Sequence, residues 1–210
     1  LLAAGLPLVG TPLAPARRAL VDVRPSDVLV VTLSDIDVGP ARVVPTDGSL
    51  PAGPAALRSF AELLRRTCHA TLDIPPDELR VGMQPASIGG VRTGRMFVAD
   101  ALENGAGYAI RLGEPENFRK VLDDMGADSG AKFREQDHRE SCSDSCPDCL
   151  RSYDNRQIHH LLDWRLAIDL AALVSKEEID LRAWASEVDP LIDGFKRAFD
   201  HPRYPLEVAW

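Results

Sequence analysis

Apolar and polar positions alternate along this chain with two different periods, and the change of period marks its elements. Val28-Leu29-Val30-Val31-Thr32-Leu33 is a β-branched run of strand length, apolar on both faces, and Val38 to Val44 is expected to return as a second strand. Pro45 to Pro54 carries turn residues throughout and is expected to be a loop. From Ala55 to Leu72 the period changes. Leu57, Phe60, Leu64, Cys68 and Leu72 recur every three or four residues, with Arg58, Glu62, Arg65 and Arg66 among them, which predicts an amphipathic helix ended by Pro75 and Pro76. Cys68 falls on its apolar stripe, where a free cysteine behaves as a small buried hydrophobe.

Two short strands are expected next, over Glu78–Met83 and Arg95–Ala99, with Gly89, Gly90 and Gly94 in their connection. Asp100 then leads through a glycine-bearing turn into a helix ending near Leu112, and Glu114–Met125 reads as another. Gly126 to Asp137 is polar and broken by Gly130. His159 to Val174 is strongly apolar, with Leu162, Leu166, Leu170 and Val174 on one stripe, and Lys176 to Phe199 is expected to supply one or two further helices. The pattern describes an α+β (or α/β) fold: a small mixed sheet with several helices. Residues 1–26, rich in proline, read as a lead-in or linker from a longer parent chain, 27–175 as the domain, and 176–210 as a helical extension.

Composition narrows what such a fold does. The 210 residues carry 24 Lys+Arg against 32 Asp+Glu, a net charge of −8, so any contact with DNA is expected to be local. No apolar run reaches the roughly 18–20 residues that span a bilayer, and no basic segment precedes an apolar one as in a signal peptide, so a cytoplasmic, membrane-free setting is expected. Phosphate-binding glycine motifs of the Walker or dinucleotide type are absent from the sequence.

The cysteines change the picture most. Three of the four fall within eight residues, as Cys142, Cys146 and Cys149. A dense C-x3-C-x2-C run in a chain without export signals reads as a metal site, since a reducing compartment keeps thiols free to ligate. Zinc takes thiolate sulfur and imidazole nitrogen in a tetrahedron, and the turn Cys146-Pro-Asp-Cys149 folds two thiols to one side. Cys142 is the third ligand, and the fourth is His138 or, alternatively, His159 or His160. Such a closed site contributes folding energy and leaves no position open for chemistry. Arg139 and Arg151 lie near enough in sequence to offset its residual negative charge.

Two other constellations bear on function. Asp100 and Glu103, at the end of a strand, occupy positions where metal-dependent nucleases hold a hard cation, while the same acids also suit the capping of the following turn and helix. Arg151, Tyr153, Arg156 and Arg165 interleave base and aromatic after the knuckle, as a strip that tracks a single strand does; the alternative is that the arginines pair with Asp148, Asp154 and Asp163 and that the aromatics are core.

Gly94-Arg-Met-Phe-Val-Ala-Asp-Ala-Leu-Glu-Asn-Gly-Ala-Gly-Tyr108, then Ser145-Cys-Pro-Asp-Cys-Leu-Arg-Ser-Tyr-Asp-Asn155 and His159-His-Leu-Leu-Asp-Trp-Arg-Leu-Ala167, resemble the MrfA-type zinc-binding (MZB) domain. That family is found at the C-termini of superfamily 2 DNA helicases concerned with DNA repair, and in helicase-associated phage-defence proteins of the DISARM class. The resemblance covers roughly residues 55–175 and implies a zinc-stabilised accessory domain, noncatalytic on its own, that partners DNA and a helicase core in cis or in trans. The family pattern carries four cysteines, whereas the knuckle here has three, with Glu140 near the place of another. The competing expectations are a nuclease built on Asp100 and Glu103, and a pure protein-interaction module resting on the acidic segment beyond Lys176.

Overall fold

The computed structural model describes residues 23–36, 42–179 and 181–199; the lead-in up to residue 22 and most of the second expected strand lie outside them. Three strands form the sheet: β1 (Val28–Val31), β2 (Leu79–Ile88) and β3 (Val91–Asp100), in the order β1-β3-β2 and antiparallel throughout. Register sends Leu29 and Val31, Met96 and Val98, and Leu79, Val81 and Met83 to one face. Against that face lies α1 (Gly53–Leu72), which buries Leu57, Phe60, Leu63, Leu64 and Cys68. The fold is α+β, with α1 as its central helix, and α6 (Trp164–Val174) packs along it, burying Trp164, Ala167, Ile168 and Leu170.

Several elements differ from the sequence expectation for identifiable reasons. Strands β2 and β3 run the full length of a hairpin closed by Gly89 and Gly90, whose φ values of +58° and +82° are those a two-residue turn with left-handed corners needs. Pro85 and Gly94 suggest a break, yet they pair with each other inside the ladder. Pro85 is tolerated because β2 is an edge strand. Gly94 lies under α1, where a Cβ would come within 3.3 Å of Leu57 Cδ1 and collide with Met83 Cε.

The described part of the expected Val38–Val44 strand, residues 42–44, is irregular. Val43 and Val44 are buried, and the segment is tied to β3 at isolated points: the Thr46 N–H donates to Arg92 O at 2.9 Å and the Thr93 hydroxyl to Val44 O at 2.7 Å. Between Gly126 and Asp137, where a break at Gly130 is expected, the chain is helical through Gly130 and is interrupted at Glu135, whose ψ of 145° is extended. After α2 (Tyr108–Leu112), α3 (Pro115–Asp124) widens into a π-helical turn, Met125–Gly130, followed by α4 (Ala131–Arg134) and α5 (Gln136–Ser141). Val121, Met125 and Phe133 hold this path down through burial, and the π-turn absorbs the register change.

The expected helix from His159 begins instead at Trp164. Residues Arg156–Leu161 form a 3₁₀ helix, and Asp163 caps α6 by accepting the Arg165 N–H at 2.8 Å. Beyond it, α7 (Leu181–Phe199) is a single helix.

Candidate metal centre

The site is built where α5 ends. His138 lies on its last turn and Cys142 is its extended C-cap residue. The chain then reverses through Cys146-Pro-Asp-Cys149. Cys149 N–H donates to Cys146 O at 3.1 Å and Arg151 N–H to the same oxygen at 2.9 Å, while Cys146 N–H points at Cys149 Sγ, 3.0 Å away. The turn thereby places two sulfurs on one side and supplies an N–H that stabilises thiolate charge.

The donor atoms of His138, Cys142, Cys146 and Cys149 all lie within 4.8 Å of one another. Cys142 Sγ is 3.8 Å from Cys149 Sγ, and Cys146 Sγ is 3.6 Å from His138 Nε2. A tetrahedral zinc with ordinary Zn–S and Zn–N bonds has edges of about 3.8 Å between sulfurs and about 3.6 Å between sulfur and nitrogen. The cluster therefore fits zinc, and no disulfide links its thiols. Burial and the neighbouring thiols push the thiol pKa values of Cys142 and Cys149 up. Crowded thiols of this kind ionise fully only when a cation compensates them.

The orientation of His138 is also set. Its Nδ1 lies 2.9 Å from the carbonyl oxygen of Phe133, which only accepts, so Nδ1 carries the proton and Nε2 turns its lone pair toward the sulfurs. The ring stacks on Phe133 and meets Trp164 edge-on, each at 5.4 Å between centroids. Trp164 fastens the knuckle to α6: its Nε1–H donates to Cys142 O at 3.3 Å and its backbone N–H to Asp144 O at 2.9 Å. Ser59 joins α1 to the same junction by accepting the Asp163 N–H at 2.9 Å.

The other two histidines have different surroundings. His159 directs Nε2 to Ser152 O at 3.0 Å and Asn155 Oδ1 at 2.8 Å, which holds the loop after the knuckle, and His160 is exposed. Of the arginines expected to offset the site, Arg139 faces Glu187 at 3.7 Å, while Arg151 stays against the knuckle, donating from Nε to Ser145 Oγ at 2.9 Å.

Asp100 is buried and accepts three backbone N–H groups, from Ala106 at 2.6 Å, Tyr108 at 3.0 Å and Ala109 at 2.7 Å. It is the cap of the glycine turn and of α2, while Glu103 is exposed. Gly105 lies at φ +80° against Asp27, where a Cβ would collide with the carboxylate.

The basic strip divides. Tyr153 is 78% exposed, with the Arg156 guanidinium 4.4 Å over its ring. Arg165 is instead withdrawn into the fold, pairing with Glu187 at 3.0 Å and stacking on Trp164 at 4.4 Å. The structure adds neighbours that sequence reasoning missed. Glu62 is buried, its carboxyl pKa raised by desolvation, and it takes Arg65 Nε at 3.1 Å. His69, buried with neither ring nitrogen partnered, has a pKa lowered to about 4, first by burial and then by Arg65.

Among the described residues no helix is long and apolar enough to cross a membrane. No curated protein matches the chain. One solved structure to which the chain is similar is a DUF1998 helicase, MrfA, bound to DNA; identity is 15%, the TM-score is 0.38, and the match covers 58% of this chain and 16% of that one. A family model described as the MrfA Zn-binding domain matches residues 60–150, from the buried face of α1 to the residue after the last cysteine of the cluster, and the donor set of that segment is one able to hold zinc.

Proposed function

We propose that the chain is a zinc-stabilised accessory domain of a superfamily 2 DNA helicase, or of that helicase's partner in a defence complex, working in the cytoplasm and noncatalytic on its own. The observation that carries this reading is the closed set of four donors. With His138 as fourth ligand beside Cys142, Cys146 and Cys149, the tetrahedron is complete and no coordination position is open to substrate. When bound, zinc supplies a cross-link between the end of α5 and the knuckle; the side chains then hold a surface in place. Residues 27–175 form the unit that does so.

DNA contact falls to Arg151, Tyr153 and Arg156, the members of the strip that face outward. An exposed tyrosine with the Arg156 guanidinium over its ring suits a stacked base and a flanking phosphate, and Arg151 precedes it by two residues. Arg165 serves the knuckle instead, through its stack on Trp164. The nuclease reading has little support, because the Asp100 oxygens are already taken by three N–H groups. An acid so engaged is a poor ligand for a hard cation.

The test is fluorescence anisotropy with single-stranded and duplex oligonucleotides over a range of salt. The zinc-loaded chain is expected to bind with an affinity that falls as salt rises, and Arg156→Gln or Tyr153→Ala is expected to weaken binding roughly fivefold or more. No nucleic-acid binding at low salt, or Mg²⁺-dependent cleavage lost in Asp100→Ala, contradicts the proposal.

A further inference from the structure

Beside the knuckle runs a groove of about 480 Å³ between the last turns of α1 and the Cys146–Cys149 turn. Its α1 wall carries Arg65, Arg66 and His69, and its knuckle wall carries Arg151 and Ser152. The charges in it are unequally engaged. Arg65 is spent on Glu62, on Pro76 O at 3.3 Å and on Ser152 Oγ at 3.0 Å. Arg66 has no hydrogen bond or ion pair among the described residues, and the Arg151 guanidinium is held only through Nε, leaving its outer nitrogens available. Glu62 is neutralised by Arg65, which leaves two exposed acids opposing the two arginines, Asp73 at the end of α1 and Asp77, near enough to act on the charge of His69.

His69 is the second, independent observation. Its side chain lines this groove, is 8% exposed, and leaves both ring nitrogens without a partner. A buried polar group left unpaired costs about 1–3 kcal/mol, so a turn of the ring that brings its N–H, shielded from solvent in this structure, to a ligand acceptor recovers that cost. The carbonyl end of α1 does not repel an anion strongly, because the His69 and Ala70 carbonyls already accept the N–H groups of Ile74 and Asp73. On the knuckle side the chain continues from Ser152 directly into the exposed Tyr153.

We propose that this groove seats the phosphodiester backbone of single-stranded DNA, with Arg66 and Arg151 on the phosphates, His69 donating from its buried ring and Tyr153 stacking the adjoining base. The inference rests on the DNA-contact reading above and extends it to α1, making a two-walled channel of a one-sided strip. A single strand is favoured over a duplex because Tyr153 has an exposed ring face and a paired base has none to give it.

The test uses the full zinc-loaded chain, a fluorescein-labelled oligothymidylate and a duplex of equal length. Arg66→Gln is expected to weaken oligothymidylate binding roughly five- to tenfold and to reduce the slope of log affinity against log salt by about 0.7, the loss of one phosphate contact. His69→Gln, with zinc content and melting temperature checked, is expected to weaken it as well, and the ring ¹⁵N resonances of His69 are expected to shift on titration with the oligonucleotide. If Arg156→Gln weakens binding but Arg66→Gln and His69→Gln leave affinity and salt slope unchanged, the groove assignment fails and the DNA reading stands. Equal affinity for the duplex overturns the single-strand assignment. An absence of binding to either probe overturns both readings together.

Discussion

Cys149→Ser is expected to abolish stoichiometric zinc binding and to cost at least about 5 kcal/mol of stability. Structural zinc binds zinc-finger peptides with about 10–16 kcal/mol at neutral pH, comparable to the entire stability of an ordinary domain. A serine hydroxyl is not ionised at that pH and replaces neither the Zn–S bond nor the acceptor for the Cys146 N–H, 3.0 Å from Cys149 Sγ. Loss of the cross-link then frees the Cys142 carbonyl that anchors Trp164 and the turn that positions Arg151. Cys68→Ser is the control. Cys68 is fully buried on α1, far from ligand geometry, and burial alone pushes its thiol up to about 12. Serine there is expected to cost only about 1–3 kcal/mol with zinc content unchanged. Elemental mass spectrometry and urea denaturation of the two variants separate these outcomes.

Asp100→Ala carries the second large effect, an expected loss of about 3–5 kcal/mol, because it orphans three buried or half-buried N–H groups at once. Those donors belong to the glycine turn and to the first turn of α2, and the backbone of Asp100 is also engaged, its N–H donating to Asp27 O and its carbonyl accepting the Ser26 hydroxyl. Asp100→Asn keeps the shape but retains only one acceptor oxygen and adds an N–H₂ facing donors. It is expected to lose a large part of the same stability. Urea midpoints report the effect, and a wild-type midpoint in Asp100→Ala contradicts the capping role. Since zinc lies elsewhere, metal content is expected to stay at the wild-type level in both variants.

The parts of this molecule that were legible in the sequence are those decided by local chemistry. Three cysteines within eight residues and the Cys146-Pro-Asp-Cys149 turn announce a metal by spacing alone, and the 3.6-residue period marks α1 without help from the sheet. The fourth donor was not decidable that way. His138 precedes Cys142 by four residues and His159 follows Cys149 by ten, spacings that both allow ligation, and what separates them is a carbonyl on another element, that of Phe133, and the hydrogen bonds that His159 makes to Ser152 and Asn155. Strand length was misread for a related reason. Gly94 reads as part of the connection until the register pairs it with Pro85 of the edge strand β2, beneath α1. The helical path through Met125–Gly130 is hidden in the sequence because the packing rests on widely spaced apolar residues, Val121, Met125 and Phe133, with polar residues between them. Arg66 and His69 looked like ordinary polar positions on an amphipathic helix, and only the approach of the knuckle gives them a common groove.

Zinc K-edge X-ray absorption on the purified chain and on His138→Ala and His159→Ala tests the central claim most directly. The account predicts one zinc in the wild type with three sulfurs at about 2.3 Å and one nitrogen at about 2.0–2.1 Å. It predicts that His138→Ala loses the nitrogen shell or the metal, and that His159→Ala retains the wild-type spectrum. A nitrogen shell that survives in His138→Ala and disappears in His159→Ala, or a wild-type chain that binds no zinc, contradicts it.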